Sequence, residues 1–346
     1  MTPPSLLVVV FALPFVLGLF LTPWIGRLAL AGGFVDQPRQ PRHLHPRSTP
    51  KLGGAAVILP FLLTVVVAQA LYPPSAQPQP DPLEPQRMMG VLSGAVLVFL
   101  VGIWDDRREL SAWPQLASQI GAAGLAVFSG IRIDVISSPL GGAVFFPPWF
   151  AVAFTVFWIV GMMNTVNWLD GLDGLAGGVT LIAALVFTAH SLGLGQISVA
   201  LLPLALAGAV AGFLPHNFYP ARVFLGTSGS MLLGYALGTF SIFGGAKTAT
   251  ALLVLGIPIL DVAWQILNRV QRGLSPFQAD RRHLHHRLLE LGLSERGVVG
   301  IFYLVSLVFG GLALLLPSAQ YKLVALTVLG GSALALLISA GRRSES

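Results

Sequence analysis

Long apolar runs recur along the chain, separated by short polar or proline-rich segments. Each run is long enough to cross a hydrocarbon core of ~30 Å as a helix, and no stretch shows the residue-by-residue alternation of a barrel strand. The pattern predicts eleven transmembrane helices, over residues 5–25, 54–72, 88–104, 115–130, 148–163, 176–191, 197–214, 228–243, 249–268, 298–316 and 321–340. The first run has neither a basic segment before it nor a small-residue cleavage site after it, so it is predicted to be a span and not a signal peptide. We therefore expect an all-α polytopic membrane protein with a single domain, residues 1–346.

The composition supports this class of protein. Hydrophobic residues make up 55% of the chain and charged residues only 10%, with a mean hydropathy of +0.79, which lies far outside the range of soluble domains. The chain has no cysteine, so a disulfide framework and a catalytic thiol are excluded. No internal repeat favours an inverted-repeat transporter.

Lysine and arginine are unequally distributed between the two sides of the predicted spans. Of the 20 in the chain, all but Arg87, Arg132, Lys247 and Lys322 fall on one side. Cytoplasmic loops carry the excess of basic residues, so we expect that side to be cytoplasmic, the N-terminus outside and the C-terminus inside. The net charge of +6 then reflects topology. No nucleic-acid partner is expected, because no aromatic and basic side chains interleave on a soluble surface.

Amides and carboxylates are concentrated in one short segment on the predicted cytoplasmic side. Asn164, Asn167, Asp170 and Asp173 recur every three residues and would share one side of a helix or helical turn. An unpaired carboxylate is costly in hydrocarbon, so the segment predicts a place where water, a cation or a polar ligand meets the lipid boundary. A polar helix-packing seam is the alternative, although such seams favour serine and threonine.

A second acidic group, Asp105 and Asp106, ends the third predicted span. Adjacent carboxylates repel each other, and a nearby cation would let both ionise, which favours a pair that binds metal or handles phosphate. The alternative is a solvated helix end that Arg107 and Arg108 neutralise. The pair alone does not distinguish these interpretations.

Three further segments on the same side carry residues that suit anionic ligands. His283 to Arg287 combine histidine and arginine, which favour phosphate oxygens; zinc is disfavoured without cysteine, and a solvated loop is the alternative. The turn Gly226–Ser230 could hold an anion at a helix N-terminus and Phe224 could stack on a nucleobase, although an ordinary helix connection would look the same. The segment made of Val35–Arg39, Arg42–His45 and Thr49–Gly54 could contact an anionic lipid head group through its basic residues, Lys51 among them, with a plain positive-inside loop as the alternative.

In order and spacing, these five segments resemble the polyprenyl-phosphate N-acetylhexosamine-1-phosphate transferase family, from about Gly33 to Gly297. The resemblance rests on the acidic pair Asp105–Asp106, the acidic-glycine motif Asn164–Gly178, the segment Gly212–Gly234 and the histidine loop His283–Arg287. It implies a bundle of about eleven helices with a cytosol-facing active-site cleft. It also implies Mg²⁺, with Mn²⁺ as the alternative, and transfer of a sugar 1-phosphate from a UDP-sugar to a polyprenyl phosphate with release of UMP.

The resemblance further implies roles for individual residues. Catalysis is expected of Asp105, Asp106 and Asp170, where one of the first two would position or deprotonate the lipid phosphate. Asn167 would bind the metal. Substrate binding, to the nucleoside, the diphosphate or the lipid head group, is expected of Asp173, Asn217, Phe224, His283, His285, His286, Arg287 and Thr49.

One position departs from the family pattern. The family usually reads Gly-Asp-x-Gly-Ser where Gly226–Ser230 reads Gly-Thr-Ser-Gly-Ser, and the missing acid is normally a metal ligand. The hydroxyl of Thr227 is a neutral and weaker Mg²⁺ ligand, so either another acid compensates or metal affinity falls. Asp261, which follows Pro258 in the ninth span, is the nearest candidate acid; a hydrogen bond at a helix kink is the role we expect for it.

Within the family, the histidine loop and the Leu-Leu-Glu-Leu-Gly segment after it resemble the branch that uses UDP-N-acetylglucosamine. The expected acceptor is undecaprenyl phosphate, in a reaction that starts lipid-linked cell-envelope glycan synthesis at the bacterial cell (inner) membrane. The alternatives are phospho-N-acetylmuramoyl-pentapeptide transfer in peptidoglycan synthesis, and a pseudoenzyme that binds UDP-sugar or lipid phosphate without turnover because of Thr227. Monomer and homodimer both stay open.

Overall fold

The computed structural model of the protein describes residues 3–36, 48–73, 81–138, 142–243, 248–271, 273 and 283–332. This part of the chain is almost entirely helical. Its helices are α1 Pro3–Ala31, α2 Gly53–Leu71, α3 Glu84–Arg108, α4 Ala112–Phe128, α5 Pro148–Leu169, α6 Leu175–Gly193, α7 Ile197–Asn217, α8 Gly226–Phe240, α9 Thr248–Val254, α10 Gly256–Gln271, α11 Leu284–Glu290, α12 Glu295–Leu315 and α13 Ala319–Ala325, which a π-helical turn Leu326–Gly330 continues. The expected all-α fold is confirmed.

A helix occupies the described part of every predicted span. Within the described residues, seven helices (α1, α2, α3, α5, α6, α7 and α12) are long and apolar enough to cross a membrane, and α9 with α10 makes an eighth if the bent pair is one span. The chain is therefore a multi-pass membrane protein. The helices α4, with 17 residues, and α8, with 15, are shorter, and the last predicted span runs beyond residue 332, so the count of eleven stays a prediction.

Helices α7 and α8 form the centre of the bundle. Helix α1 packs closely on α7 through Gly208 and Gly212, where an added Cβ would lie 2.3 Å and 2.2 Å from the carbonyl oxygens of Phe11 and Phe15. This spacing of small residues is what lets helix backbones approach each other in membranes. Helix α8 packs between α3 and α5, and Tyr235 donates a hydrogen bond to the carbonyl oxygen of Gly90 at 2.8 Å.

The outer surface of the bundle is apolar. Large side chains such as Phe20, Trp104 and Phe157 are 67%, 57% and 70% exposed. A water-soluble domain does not present so many large apolar groups to solvent, whereas lipid tails are a favourable surrounding for them.

The ninth predicted span is broken in the structure. Helices α9 and α10 meet at an angle of 83°, with Leu255 between them. Pro258 lies in the first turn of α10, where its missing N–H is tolerated. In the middle of one continuous helix, proline would remove a backbone hydrogen bond and kink or break the helix. The break gives α10 its own direction towards α5, with which it is in contact.

Two short antiparallel hairpins complete the fold. Strands β1 (Val35–Asp36) and β2 (Thr49–Pro50) pair Asp36 with Thr49 between α1 and α2. Strands β3 (Val135–Ser137) and β4 (Ala143–Phe145) pair at the other end of the bundle. Gly142, just before β4, adopts φ +77°.

Helix ends from distant parts of the chain meet at the β1–β2 end. The start of α2 is hydrogen-bonded to the segment before α8, from Gly53 N to Phe224 O at 2.9 Å and from Gly54 N to Leu225 O at 2.9 Å. The end of α3 meets the start of α8, and the end of α7 meets the start of α6. The acidic and amide residues singled out in the sequence lie at these junctions.

Candidate active site

A cavity of about 310 Å³ opens among these helix ends. Its lining is unusually acidic for a membrane protein. The lining residues are Asp36, Lys51, Asp106, Asn167, Asp170, Gly171, Leu172, Asp173, Asn217, Phe224, Leu225, Gly226, Thr227 and His286. Four carboxylates thus face a space where one lysine and one histidine supply the basic groups. Such a surface repels an anion unless a cation accompanies it.

Asp106 is fixed by the N-terminus of α8. Its Oδ1 accepts a hydrogen bond from Thr227 N at 2.8 Å and its Oδ2 accepts one from Ser228 N at 3.1 Å. A carboxylate at a helix N-terminus is favoured by the unpaired N–H groups and the helix dipole. Gly226 makes this contact possible, because it adopts φ +75° and an added Cβ would lie 2.7 Å from Asp106 Oδ2.

Asp105 faces away from the cavity. Its Oδ1 accepts hydrogen bonds from Leu110 N at 2.8 Å and from Gln115 Nε2 at 2.7 Å. The two aspartates therefore divide their contacts: Asp106 joins α3 to α8, whereas Asp105 joins α3 to α4. Asp105 lies outside the set of residues that line the cavity.

Asp170 and Asp173 occupy the turn between α5 and α6. The pKa of Asp170 is raised to about 8, chiefly by burial and to a smaller extent by the negative charges of Asp106 and Asp173. Asp173 is buried, and its Oδ2 accepts a hydrogen bond from Ala221 N at 2.8 Å. The turn therefore crowds two acidic side chains together at the cavity and holds one of them, Asp173, against the segment after α7.

The two asparagines of the acidic motif separate in the structure. Asn167 lines the cavity, and its Oδ1 accepts a hydrogen bond from Ser230 Oγ at 2.7 Å. Asn164 instead donates to Gln119 Oε1 at 2.8 Å on α4. Asn164 therefore connects α5 to α4. The four motif residues were expected to share one side of a helix, but only Asn167, Asp170 and Asp173 line the cavity.

Asn217 and Phe224 shape one wall of the cavity. Asn217 Oδ1 accepts from Gly174 N at 3.1 Å, and its Nδ2 donates to Val223 O at 3.0 Å, so its amide closes the junction between α6 and α7. Phe224 N donates to Pro50 O at 2.8 Å. Thr49 is buried beside this contact but lies outside the cavity lining.

The histidine segment is a short helix, α11, whose residues have different surroundings. His286 lines the cavity, whereas Arg287 is half-buried and lies outside the lining. His285 is buried behind the α5–α6 turn, and an added Cβ on Gly171 would lie 2.4 Å from its Nε2. Burial, His286 and His283 lower the pKa of His285 well below its usual value, so this ring is neutral.

His283 does not line the cavity. Its Nδ1 lies 2.9 Å from Asp261 Oδ2, and both side chains are buried. The sequence does not indicate this pair, because 22 positions separate the partners. Asp261 also lies outside the cavity lining, so it does not compensate for Thr227. Its carboxylate contacts His283 and Leu284 N, and not a backbone group at a helix kink.

Three lining residues with polar side chains were not among the predicted site residues: Asp36, Lys51 and Thr227. Strand pairing brings Asp36 in, because β1 is hydrogen-bonded to β2 and Lys51 N donates to Phe34 O at 3.0 Å. Lys51 had a detectable signal in the sequence, since it lies two residues before Gly53, the first glycine of the Gly53–Gly54 pair that is hydrogen-bonded to the segment before α8. Its predicted contact with a lipid head group stays a prediction.

The donors in the cavity suit a hard divalent cation. Its polar lining is mainly carboxylate and amide oxygen, the ligands that Mg²⁺ takes. Across the described residues, however, no three acidic or histidine side chains are close enough to form a metal site by themselves. Mg²⁺ is usually held by one or two carboxylates, several waters and substrate phosphates. The residues fit that mode of binding and do not form a closed metal cage.

Comparison with known proteins gives a consistent family. A model described as glycosyl transferase family 4 matches residues 88–245. The "Probable undecaprenyl-phosphate N-acetylglucosaminyl 1-phosphate transferase" of Bacillus subtilis (strain 168) is 34% identical, over 90% of this chain and 86% of its own length. The decaprenyl-phosphate N-acetylglucosaminephosphotransferase of Mycolicibacterium smegmatis is 36% identical over 82% of this chain and 76% of its own length. The phospho-N-acetylmuramoyl-pentapeptide-transferase of Carboxydothermus hydrogenoformans is 32% identical over 84% and 91%.

The chain belongs to glycosyl transferase family 4, a family of membrane-embedded sugar-phosphate transferases. The resemblance seen in the five sequence segments is thereby confirmed, and the matched region 88–245 contains Asp106, Asn167, Asp170 and Thr227.

Proposed function

We propose that this protein transfers N-acetylglucosamine 1-phosphate from UDP-N-acetylglucosamine to undecaprenyl phosphate and releases UMP. The observation that carries the proposal is the acidic cavity at the meeting point of α3, α5, α7 and α8 in a multi-pass membrane protein of this family. The product would be the first lipid-linked intermediate of a cell-envelope glycan such as lipopolysaccharide or teichoic acid. The name of the relative from Bacillus subtilis supports this transferred group and this acceptor.

The reaction joins two anions. An oxygen of the lipid phosphate attacks the phosphorus next to the sugar, and the bond from that phosphorus to the bridging oxygen breaks, so the bridging oxygen leaves with UMP. The carboxylates of the cavity add further negative charge. Bound Mg²⁺, or Mn²⁺ in its place, would supply positive charge to the diphosphate oxygens. Asn167 with Asp106 and Asp173 would hold the metal.

Two aspartates have separate roles in this proposal. Asp106 is held by the N–H groups of Thr227 and Ser228, so it is a fixed charge on which the rest of the site is arranged. Asp170 lines the same cavity and would accept a proton from the lipid phosphate when this acceptor enters protonated and Asp170 itself is ionised, which its raised pKa makes pH-dependent. Asp105 acts as a positioning residue through its contacts with α4.

The basic and aromatic groups of the cavity bind the substrates. Lys51 and His286 are placed to contact phosphate oxygens, and Phe224 offers its ring to the uracil base. Asn217 positions this wall through its two backbone hydrogen bonds. The ring of His285 contacts that of His286 and supports its position. Thr49 and Arg287 do not line the cavity, so their effect on substrate binding is indirect.

We place the protein in the bacterial cell (inner) membrane with its N-terminus outside and its C-terminus in the cytoplasm. The basic residues Lys51, Arg107 and Arg222 lie in loops and at a helix end on the cavity side of the bundle, which supports a cytoplasmic cavity. Because the natural chain has no cysteine, single cysteines at Arg108 and Asp134 can be labelled in intact cells with an impermeant maleimide. We expect labelling at position 134 and protection at position 108; the reverse pattern would invert the topology.

The function is tested by UMP release from UDP-N-acetylglucosamine and undecaprenyl phosphate with the purified protein, with and without Mg²⁺. We expect metal-dependent turnover that Asp106→Asn reduces by at least about 100-fold, the scale of a misplaced catalytic group. Asp134→Asn, an exposed carboxylate paired with Arg132, is the matched control and should keep full turnover.

The alternatives give different results in the same assay. Turnover only with UDP-N-acetylmuramoyl-pentapeptide would assign the protein to the peptidoglycan branch, to which the name of the Carboxydothermus hydrogenoformans relative points. UDP-sugar binding without UMP release, with turnover restored by Thr227→Asp, would establish a pseudoenzyme. Either outcome would overturn the proposed reaction while leaving the family unchanged.

A further inference from the structure

A buried polar pair joins α10 to α11 outside the cavity. Asp261 and His283 are each 7% exposed. The imidazole Nδ1 lies 2.9 Å from Asp261 Oδ2, and Asp261 Oδ1 accepts a hydrogen bond from Leu284 N at 3.1 Å. Both oxygens of this carboxylate are therefore used by the start of the histidine helix. A carboxylate only accepts hydrogen bonds, so Nδ1 of His283 carries the hydrogen that faces it.

We propose that Asp261 is a positioning residue that holds α11 against the α5–α6 turn, so that the histidine helix meets the cavity. The connection runs through the rings. His283 lies parallel to His285, with centroids 5.8 Å apart and an angle of 5° between the planes. His285 in turn points its Nε2 at Gly171, the residue next to Asp170. His286, which lines the cavity, follows on the same helix.

Helix α11 needs such a tie because it is short. It has seven residues, and an isolated helix shorter than about 12–15 residues is marginal in water. Leu284 and Leu288 are buried and contribute apolar contact, but apolar contact is not directional. Hydrogen bonds from a carboxylate on α10 fix the rotation and the height of the helix, which decide where His286 points.

The placement of Asp261 argues for this role over metal binding. A buried carboxylate is costly unless hydrogen bonds compensate it, and here the two contacts with His283 and Leu284 do so. Asp261 is not among the residues around the cavity that contains Thr227. The second contact of His283 is also structural, because its ring lies 5.8 Å from that of Trp168 at the end of α5.

The position of α11 can be measured without turnover. Leu288→Cys places a single thiol on the buried face of α11, in a chain that otherwise has no cysteine. We expect Asp261→Ala to speed maleimide labelling of this thiol by at least about tenfold, the effect of losing one buried hydrogen bond on a local opening equilibrium. Asp261→Asn keeps an oxygen for Leu284 N and should have a smaller effect.

A matched control removes a buried hydrogen bond elsewhere. Lys322 Nζ donates to Thr250 Oγ1 at 2.9 Å, and both residues are buried. Thr250→Val in the Leu288→Cys background should leave the labelling rate unchanged, because α9 and α13 do not hold α11. Equal labelling rates in Asp261→Ala and Thr250→Val would overturn the proposal.

The kinetic arm rests on the proposed transferase function. We expect Asp261→Ala and His283→Ala each to lower kcat/KM for UMP release by at least about tenfold, and the double variant to be no worse than either, because the two side chains act as one unit. Additive losses would overturn the proposal. If the natural protein releases no UMP, the proposed function fails, but the labelling result still decides the role of Asp261. If Asp261→Ala does not fold, Asp261→Asn and His283→Ala are labelled instead, and unchanged rates in both would overturn it.

Discussion

Gly226 meets two independent constraints at the point where α8 begins. Its φ of +75° lies in the left-handed region, where a residue with a Cβ costs about 1–2 kcal/mol more than glycine. An added Cβ would also lie 2.7 Å from Asp106 Oδ2, so the carboxylate would have to leave at least one of its two N–H donors. Losing a hydrogen bond to a charged group costs about 1.5–3 kcal/mol. The variant Gly226→Ala should therefore lose about 2.5–5 kcal/mol of stability in total.

Gly142 provides a control that separates the two costs. It adopts φ +77° but has nothing within 4 Å of an added Cβ, so Gly142→Ala carries the backbone cost alone. Thermal unfolding in detergent should show a lower melting temperature for both variants, with the larger decrease in Gly226→Ala. Only Gly226→Ala should also lose UMP release, by about 100-fold, because its Asp106 is displaced by about 1 Å. Equal melting temperatures and equal turnover in the two variants would refute the reasoning.

Three further predictions concern the cavity and the bundle. Gly171→Ala should lower turnover by at least about tenfold, because its Cβ would lie 2.4 Å from His285 Nε2; a fully active variant would show that His285 can move freely. Thr227→Asp adds a carboxylate to the cavity and should lower the Mg²⁺ concentration for half-maximal turnover, measured by titration; an unchanged titration would place the metal away from this residue. Gly212→Ala should prevent stable folding, judged by gel filtration in detergent, because its Cβ would lie 2.2 Å from the backbone oxygen of Phe15, and a normal elution profile would contradict the close packing of α1 on α7.

The positions of most helices follow from the sequence because apolar runs must fold as helices in lipid. The break between α9 and α10 does not follow so directly. Residues 249–268 form one apolar run, and Pro258 is compatible either with a kinked span or with the first turn of a new helix. Only packing against α5, α12 and α13 decides between the two, and this information is spread over distant parts of the chain.

The residue types of the site could be predicted from the sequence, but the directions in which their side chains point could not. Asp105 and Asp106 are neighbours on α3, so their side chains leave the helix about 100° apart. Which of them reaches the cavity depends on the N–H groups of α8 on one side and Gln115 on the other. Asp261 gave even less signal, because its partner His283 is far along the chain and its role depends on where the broken span directs α10.

The enclosed position of α8 has a consequence for how the protein is made. Nearly every residue of this 15-residue helix is buried in the bundle, and at 1.5 Å per residue it is about 22 Å long, less than a hydrocarbon core. During synthesis, α3 and α5 emerge before it. The newly made α8 can therefore pack between helices that are already in the membrane. Asp106 on α3 is then available to accept hydrogen bonds from the first N–H groups of α8. Biogenesis of this protein should accordingly depend on the order of its helices, and a fragment that begins at α8 should insert poorly when it is made without the helices that precede it.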